Sequence, residues 1–140
     1  MPGYSGTPLP KKLGIKPGFH VQLVNPPAEV RTELSGALAE CSIDDRKSSL
    51  DASKLDFVML FTRSREELAR EFNRITKQLA LAGMFWVSWP KKSSGVATDI
   101  DENAVREIGL AAGLVDVKVC AVTDVWSGLK FVRRIKDRKK

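Results

Sequence analysis

The alternation of apolar and polar positions predicts a chain of short strands separated by helices. Apolar runs predict strands at 19–24, 41–43, 55–61, 84–89, 114–122 and 129–135. Apolar positions at helical spacing predict helices at 27–39, 64–83 and 101–113. The run at 55–61 has almost no polar interruption, which is typical of a strand covered on both faces.

The predicted helix ends carry capping residues. Ser64–Glu67 reads Ser-x-x-Glu, a capping box that begins a helix, and Gly83 is expected to end that helix in the left-handed conformation. The third helix has two candidate starts, one with Asp101 as the N-cap and one with Asp99–Glu102 as a capping box. Both place the helix after the loop that follows strand 84–89.

Strands that alternate with helices indicate βαβ crossovers and a mainly parallel sheet with helices on both faces. We expect a three-layer, doubly wound α/β fold of about six strands with a C-terminal antiparallel hairpin strand. Residues 1–18 are rich in proline and glycine and are expected to form an extended arm. A single domain is expected at 19–135, followed by a basic tail at 136–140.

The net charge of +6 is concentrated at one end of the chain. Residues 130–140 hold seven basic side chains and one acidic side chain, which equals the whole excess. Such a tail could bind nucleic acid or an acidic protein through counterion release, or it could be a solvated terminus that aids solubility. The charge therefore locates a candidate interaction segment rather than a basic domain.

The overall composition is that of an ordinary globular protein, with 43% hydrophobic and 29% charged residues. No apolar run is long enough for a transmembrane helix and no apolar signal region is seen, so we expect a bacterial-type cytoplasmic protein without membrane contact. Cys41 and Cys120 lie in separate apolar segments and are expected to be reduced, buried thiols. The sequence contains no Cys–His cluster of the kind that binds a metal ion. His20 is expected to begin a strand, away from any serine that it could activate.

Candidate ligand-binding residues follow several predicted strands. Ligands of open α/β sheets bind beyond the carboxyl ends of the strands. The polar and aromatic residues near these ends are Asn25, Arg63, Ser64, Arg65, Lys91, Lys92, Ser93, Ser94, Asp124 and Trp126. Ser64 also begins a helix, whose free N–H groups favour anions. This set predicts a pocket for an anion or a nucleotide, and the alternative is solvated loop lysines with Trp126 packed in the hairpin.

Four segments resemble, in order, parts of the class I S-adenosylmethionine-dependent methyltransferases. Lys16–Val24 is similar to the entry into that family's first strand, and Leu55–Val58 to the strand of its fourth motif. Leu81–Val87 resembles the helix-to-strand turn that follows, and Trp126–Arg134 resembles the closing antiparallel strand. The resemblance spans residues 13–135 and implies a Rossmann-like fold.

Two departures from the methyltransferase pattern concern the cofactor. The family has a glycine-rich turn after its first strand, but this chain has Asn25-Pro26-Pro27, and prolines remove N–H donors and add ring bulk there. The resemblance implies a ribose-binding acid at Asp44 or Asp45, yet only about ten residues separate Asp45 from the next strand, so the family's extra helix and strand are missing. We therefore expect no cofactor, although S-adenosylmethionine bound in another mode stays open.

The whole chain is also similar to an uncharacterised bacterial family known as a domain of unknown function. The segments that carry this similarity are Tyr4–Gly14, Trp89–Gly95, Val119–Val122, Asp124, Trp126 and Ser127. We predict a non-catalytic ligand-binding or regulatory module for a small anion or nucleotide, on a degenerate methyltransferase-like fold, with catalysis left open. The alternatives are a methyltransferase with an altered cofactor loop, and a nucleic-acid or protein adaptor that uses the basic tail.

Overall fold

The structure, a computed structural model, describes residues 8–44 and 54–138, which form four α-helices and six strands. The helices are α1 (Leu9–Leu13), α2 (Ala28–Leu38), α3 (Arg65–Gln78) and α4 (Glu102–Ala111). The strands are β1 (His20–Val24), β2 (Ser42–Ile43), β3 (Leu55–Phe61), β4 (Leu79–Pro90), β5 (Leu114–Ala121) and β6 (Trp126–Arg133). Short 3-10 turns lie at Lys92–Ser94 and Ile135–Arg138.

The strands form one sheet with the order β2-β1-β3-β4-β6-β5. β2, β1, β3 and β4 are parallel neighbours, while β6 runs antiparallel to both β4 and β5. β3 lies inside the sheet, which explains why its sequence is nearly all apolar. The predicted α/β sheet of six strands with an antiparallel hairpin strand is confirmed.

Helices cover both faces of the sheet and create two cores. α3 and α4 pack on one face, where the ring of Phe72 lies 4.7 Å from that of Phe85 and 5.1 Å from that of Phe131. α1 and α2 pack on the other face. Because successive strand residues point to opposite faces, β3 contributes Val58 to the first core and Phe57 to the second.

The N-terminal segment is more ordered than the sequence predicts. An extended arm is expected at 1–18, but Leu9–Leu13 forms the helix α1, which ends at Gly14 with a φ of 90°. Leu9 and Leu13 are buried, and the Leu13 carbonyl accepts a hydrogen bond from Trp86 Nε1 at 2.9 Å. The extended-arm prediction is therefore wrong for this segment, because two leucines four residues apart dock one short turn of helix on the sheet. Residues 1–7 lie outside the described residues.

The end of α3 also differs from the prediction. The helix ends at Gln78, and Gly83 lies inside β4 rather than in a left-handed cap. The β3–β4 pairing steps irregularly in this region, where β4 has extra residues relative to β3. A Cβ on Gly83 would lie 2.6 Å from the Leu55 carbonyl oxygen. Glycine is needed here for close approach of two strands and not for ending a helix.

Part of the basic C-terminal segment belongs to the sheet. Lys130 and Arg133 lie in β6. The guanidinium of Arg133 donates to the carbonyls of Thr76 and Leu79, at 2.8 and 2.6 Å. These carbonyls lie at the end of α3, where helices leave acceptors unpaired. The excess positive charge of residues 130–140 therefore lies only partly in a tail. Arg133 belongs to the sheet and stabilises the end of α3.

Cys41 and Cys120 are free, as expected, but they are half-buried rather than buried. Burial raises the pKa of the Cys120 thiol, and the charges of Lys12 and Lys118 oppose that effect.

In residues 8–44 and 54–138, no helix is long and apolar enough to span a bilayer.

Candidate functional site

The crevice between β1 and β3 is the first candidate site. The chain leaves β1 toward one side of the sheet and leaves β3 toward the other, so their carboxyl ends form the topological switch point. A pocket of about 290 Å³ lies there, lined by Asn25, Phe61, Thr62, Arg63, Glu67 and Trp126. The structure therefore brings three of the predicted residues together: Asn25, Arg63 and Trp126. The ring of Trp126 packs edge-on against Phe61, with 5.2 Å between centroids.

Asn25 bridges the two strand ends at this crevice. It has a φ of 57°, in the left-handed region that asparagine tolerates better than most residues. Its amide nitrogen donates to the Phe61 carbonyl at 3.2 Å and to a carboxylate oxygen of Glu67 at 3.5 Å. The Thr62 hydroxyl donates to the other carboxylate oxygen of Glu67. These bonds tie β1, β3 and α3 together at the position where the methyltransferase resemblance expects an open glycine-rich turn.

The N-terminus of α3 is occupied by the chain itself. Ser64 Oγ accepts from the Glu67 N–H at 3.2 Å, so one half of the predicted capping box forms. The Ser64 N–H donates to Thr62 Oγ1 at 3.3 Å instead of to Glu67. The Arg65 N–H donates to Asp99 Oδ1 at 2.8 Å. The N–H groups of Ser64, Arg65 and Glu67 therefore already have acceptors within the chain, which leaves fewer donors for an anion at this helix start than the sequence predicts.

α4 begins with Asp101 as its N-cap, which is one of the two predicted starts. Asp101 Oδ1 accepts from the Ala104 N–H at 2.8 Å. Asp99 is not available for the other start because its carboxylate caps α3. The Thr98 hydroxyl also donates to the Arg63 carbonyl at 2.7 Å, which fastens the loop before α4 to the loop after β3. A tertiary contact thus decides between two starts that the sequence leaves open.

The second candidate site is a larger cleft, of about 490 Å³, between the end of β4 and the start of α4. It is lined by Trp89, Pro90, Lys91, Lys92, Ile100, Asp101, Glu102, Asn103 and Ser127. The Lys91 N–H donates to the Val125 carbonyl at 2.7 Å, which holds the loop against the β5–β6 turn. This volume is in the range of small-molecule binding sites.

The carboxylates of this cleft are engaged within the protein. Asp101 caps α4, and a carboxylate oxygen of Glu102 lies 2.6 Å from the guanidinium of Arg106. The hydrogen bonds that Arg106 donates to the Asp116 and Glu102 carboxylates raise its pKa. No carboxylate of the described residues lies within ion-pair distance of either cleft lysine. The polar groups left for a ligand are Lys91, Lys92, Asn103 and Ser127.

Five of the ten predicted residues line neither pocket: Ser64, Arg65, Ser93, Ser94 and Asp124. Ser94 Oγ donates to the Lys91 carbonyl at 2.6 Å and accepts from the Val96 N–H, so it stabilises the 3-10 turn. Ser93 and Asp124 are exposed in their loops. The sequence predicts one pocket, but the structure divides the predicted residues between two pockets. The remaining predicted residues line neither of them.

Asp44 does not reach the carboxyl edge of the sheet. β2 is two residues long and pairs with His20 and Val21, at the start of β1. The Asp44 carboxylate lies 3.8 Å from His20 Nε2. The same register puts Asp44 level with Gln22, which is roughly 7 Å from the end of β1 at about 3.3 Å per residue. The Asp44 carboxylate therefore lies beside His20 and short of the strand end, and the ribose-binding role implied by the resemblance stays a prediction. Asp45 lies outside the described residues.

Six polar pocket residues are absent from the sequence-based prediction: Thr62, Glu67, Asp101, Glu102, Asn103 and Ser127. Thr62 and Ser127 are polar residues at strand ends, so their positions were available as a signal. In the sequence, Glu67 is recognisable only as part of the Ser64–Glu67 capping pattern. That pattern does not indicate that its side chain lines a pocket. Among residues 8–44 and 54–138, no group of three His, Cys, Asp or Glu residues could hold a metal ion.

The sequence pattern of a known family matches residues 10–135, which includes both pockets, and its description is "Protein of unknown function (DUF3052)". The chain belongs to this family. This match confirms the resemblance to a family of unknown function that the sequence of this DUF3052 protein indicates. A comparison with curated protein sequences gives no match.

Solved methyltransferase structures share the fold of this DUF3052 protein. Magnesium protoporphyrin IX methyltransferase from Synechocystis PCC 6803, with bound SAH, has a TM-score of 0.59 at 12% identity over 90% of this chain and 78% of that chain. A SAM-dependent methyltransferase from Aquifex aeolicus has a TM-score of 0.57 at 15% identity over 86% and 85%. The Methanococcus jannaschii fibrillarin pre-rRNA processing protein has a TM-score of 0.54 at 12% identity over 91% and 69%. The predicted methyltransferase-like fold is confirmed, and identities this low concern the fold alone.

Proposed function

We propose that this protein is a non-catalytic module that binds a small anionic ligand, such as a nucleotide or a phosphorylated metabolite, in the Lys91 cleft. The observation that carries the proposal is a cleft of about 490 Å³ at the carboxyl end of β4, whose two lysines have no carboxylate partner among the described residues. Lys91 is half-buried, and its ammonium group and that of Lys92 supply two positive charges for a bound anion. Asn103 and Ser127 add neutral hydrogen-bonding groups.

The crevice used by cofactors in related folds supports a different role for this chain. Pro26 and Pro27 lack N–H donors, and Asn25 spans from β1 to the Phe61 carbonyl at 3.2 Å. Eleven residues connect β2 to β3, too few for a further helix and strand. These features support a protein that does not bind S-adenosylmethionine in the standard mode.

The lack of a histidine near the cleft supports the non-catalytic part of the proposal. His20 is the one histidine of the chain, and it lies at the start of β1 beside Asp44. The cleft lies at the opposite, carboxyl edge of the parallel strands. A hydroxyl such as that of Ser127 therefore has no imidazole to remove its proton.

A thermal-shift panel of nucleotides and phosphorylated metabolites tests the Lys91 cleft. At least one compound is expected to raise Tm by several degrees at millimolar concentration, because a ligand at one hundred times its Kd stabilises by about 2.7 kcal/mol. Lys91→Ala is expected to remove most of that shift. Lys77→Ala, a change of the same charge on the exposed face of α3, is the control and keeps the shift. A panel without any shift, or one unchanged by Lys91→Ala, contradicts the proposal.

A methyltransferase with an altered cofactor loop is the second candidate. One observation favours it, since a pocket of about 290 Å³ with an aromatic ring and a carboxylate remains at the switch point. Isothermal calorimetry with S-adenosylhomocysteine separates the two functions. We expect no saturable heat corresponding to a Kd below about 1 mM, because Asn25 and its bonds occupy the crevice. Saturable binding that Lys91→Ala leaves intact would establish the second candidate instead.

A further inference from the structure

A group of lysines lies on the sheet face that carries α1, away from both pockets. Lys118 of β5 and Lys130 of β6 are directly opposite each other in the antiparallel pairing. Lys130 also pairs with Trp86 of β4, whose indole N–H bonds to Leu13 of α1. Because laterally paired residues point to the same side of a sheet, both lysines are on the α1 face. We call Lys12, Lys16, Lys118 and Lys130 the lysine face.

Hydrogen bonds link this face into one surface. Lys118 Nζ donates to the Lys12 carbonyl at 3.1 Å, and Lys12 Nζ donates to the Ala121 carbonyl at 3.2 Å. Both acceptors are neutral carbonyls, so the bond that Lys118 donates does not compensate the positive charge of that side chain. Lys16 and Lys118 are exposed, whereas Lys130 is partly buried between its neighbours.

The electrostatics of the lysine face are unfavourable for the isolated protein. Burial lowers the pKa of Lys130, and the like charges of Lys118 and Lys16 lower it further. No carboxylate in the described parts of the chain is within ion-pair distance of Lys118 or Lys130. Asp116, two residues before Lys118, pairs with Arg106 on the opposite face of the sheet. Like charges directly opposite each other on a sheet are destabilising, and a bound anion would reverse that effect.

The positive charge of this face comes from three separate segments of the chain. Lys130 points to the α1 face from β6, Lys118 does so from β5, and Lys16 follows α1. Positive groups spread over three segments of one sheet face fit a row of phosphates better than a single small anion.

We propose that the lysine face binds the phosphodiester backbone of a nucleic acid, without reading its sequence. The contacts would come from Lys16, Lys118 and Lys130, and all three are side chains of the folded domain rather than of the C-terminal tail. Binding of this type releases counterions and is therefore strongly salt-dependent. The proposal does not rest on the function proposed for the Lys91 cleft, because the two surfaces share no residue.

Fluorescence anisotropy with the full-length chain and a labelled DNA duplex of about 24 base pairs tests this surface. The salt dependence is measured between about 50 and 200 mM. The double variant Lys118→Gln/Lys130→Gln is expected to lower the slope of log K against log salt by about 2, and to weaken binding about tenfold at the lower salt. The control Arg70→Gln/Lys77→Gln removes the same charge from the exposed face of α3 and is expected to keep the slope.

Further variants keep the outcome decisive. Lys16→Gln changes an exposed side chain and should lower the slope by about 1 even if the double variant melts early. Equal losses in the double variant and in its control mean that only net charge matters, and this overturns the proposal. It is also overturned if Lys136→Gln/Lys139→Gln/Lys140→Gln abolishes binding while the lysine-face variants bind normally. Binding of tripolyphosphate without binding of the duplex would show a small-anion site instead.

Discussion

Trp86→Ala is expected to destabilise the protein by about 3–5 kcal/mol, the range for truncating a large buried aromatic side chain. Trp86 is fully buried, and its Nε1–H donates to the Leu13 carbonyl at 2.9 Å. Its ring also lies against Gly128, where a Cβ would be 3.2 Å from Trp86 Cε3. The substitution removes the side chain on which α1 is docked and leaves a cavity under that helix.

Urea unfolding followed by circular dichroism measures this loss. Trp86→Phe is the matched variant, since it keeps an aromatic ring but removes the N–H donor, and it should cost about 1–2 kcal/mol. The difference between the two variants separates ring packing from the bond to Leu13. If Trp86→Ala unfolds at the same urea concentration as the parent protein, α1 does not dock on Trp86 and the fold described for the N-terminal segment is incorrect.

Gly109→Ala is expected to destabilise the protein by about 2–3 kcal/mol, although alanine is the better helix former. Gly109 is buried in α4, and a Cβ there would lie 2.1 Å from Cε1 of Phe131. Phe131 cannot move freely, because it is fully buried and packs edge-on against Phe72. The extra methyl group must therefore displace the core or push α4 away from the sheet.

Gly36→Ala is the matched control for this clash. Gly36 is also inside a helix, α2, but nothing lies within 4 Å of a Cβ built there. Because only the conformational freedom of the unfolded chain changes, we expect stabilisation of about 0.5–1 kcal/mol. Opposite signs for the two glycines, measured by the same urea unfolding, support the packing of α4 on Phe131. A loss of stability in Gly36→Ala would instead place α2 against another surface.

Much of the fold follows from local patterns. The strand predicted at 55–61 has the observed bounds, and the helix predicted at 27–39 is observed at Ala28–Leu38. Gly113 ends α4 with a φ of 95°, as its position after the apolar pattern predicts. These features depend on periodicity and backbone preference within a few residues, and both can be read from one stretch of chain.

The predictions of the fold are wrong where contacts with a distant segment of the chain determine the local conformation. Leu9 and Leu13 form a helix because the sheet face at Trp86 receives them. Gly83 is a strand residue because β4 approaches the Leu55 carbonyl closely. In both cases the short local pattern is weaker than the contact made by tertiary packing, so the local interpretation fails.

The candidate site is divided in the same way. The sequence placed Asn25 and Arg63 beyond strand ends with Trp126 as a neighbour, and the structure brings the three residues to one pocket. It could not show that Lys91 and Lys92 line another cleft, nor that the Asp99 carboxylate caps α3. Predicting either fact requires the relative positions of loops about 35 residues apart, which no local pattern contains.

By itself, the sequence determined the α/β order, the family pattern and the proline-blocked turn after β1, because each is a property of residues adjacent in the chain. Only the tertiary structure decided that Asn25 bonds to Phe61 and Glu67, and that Lys118 faces Lys130 across two strands. It also showed that Arg133, counted with the basic segment, stabilises the end of α3. The sequence determines which side chains carry a charge or can form hydrogen bonds. Strand register and helix packing determine which groups these side chains contact.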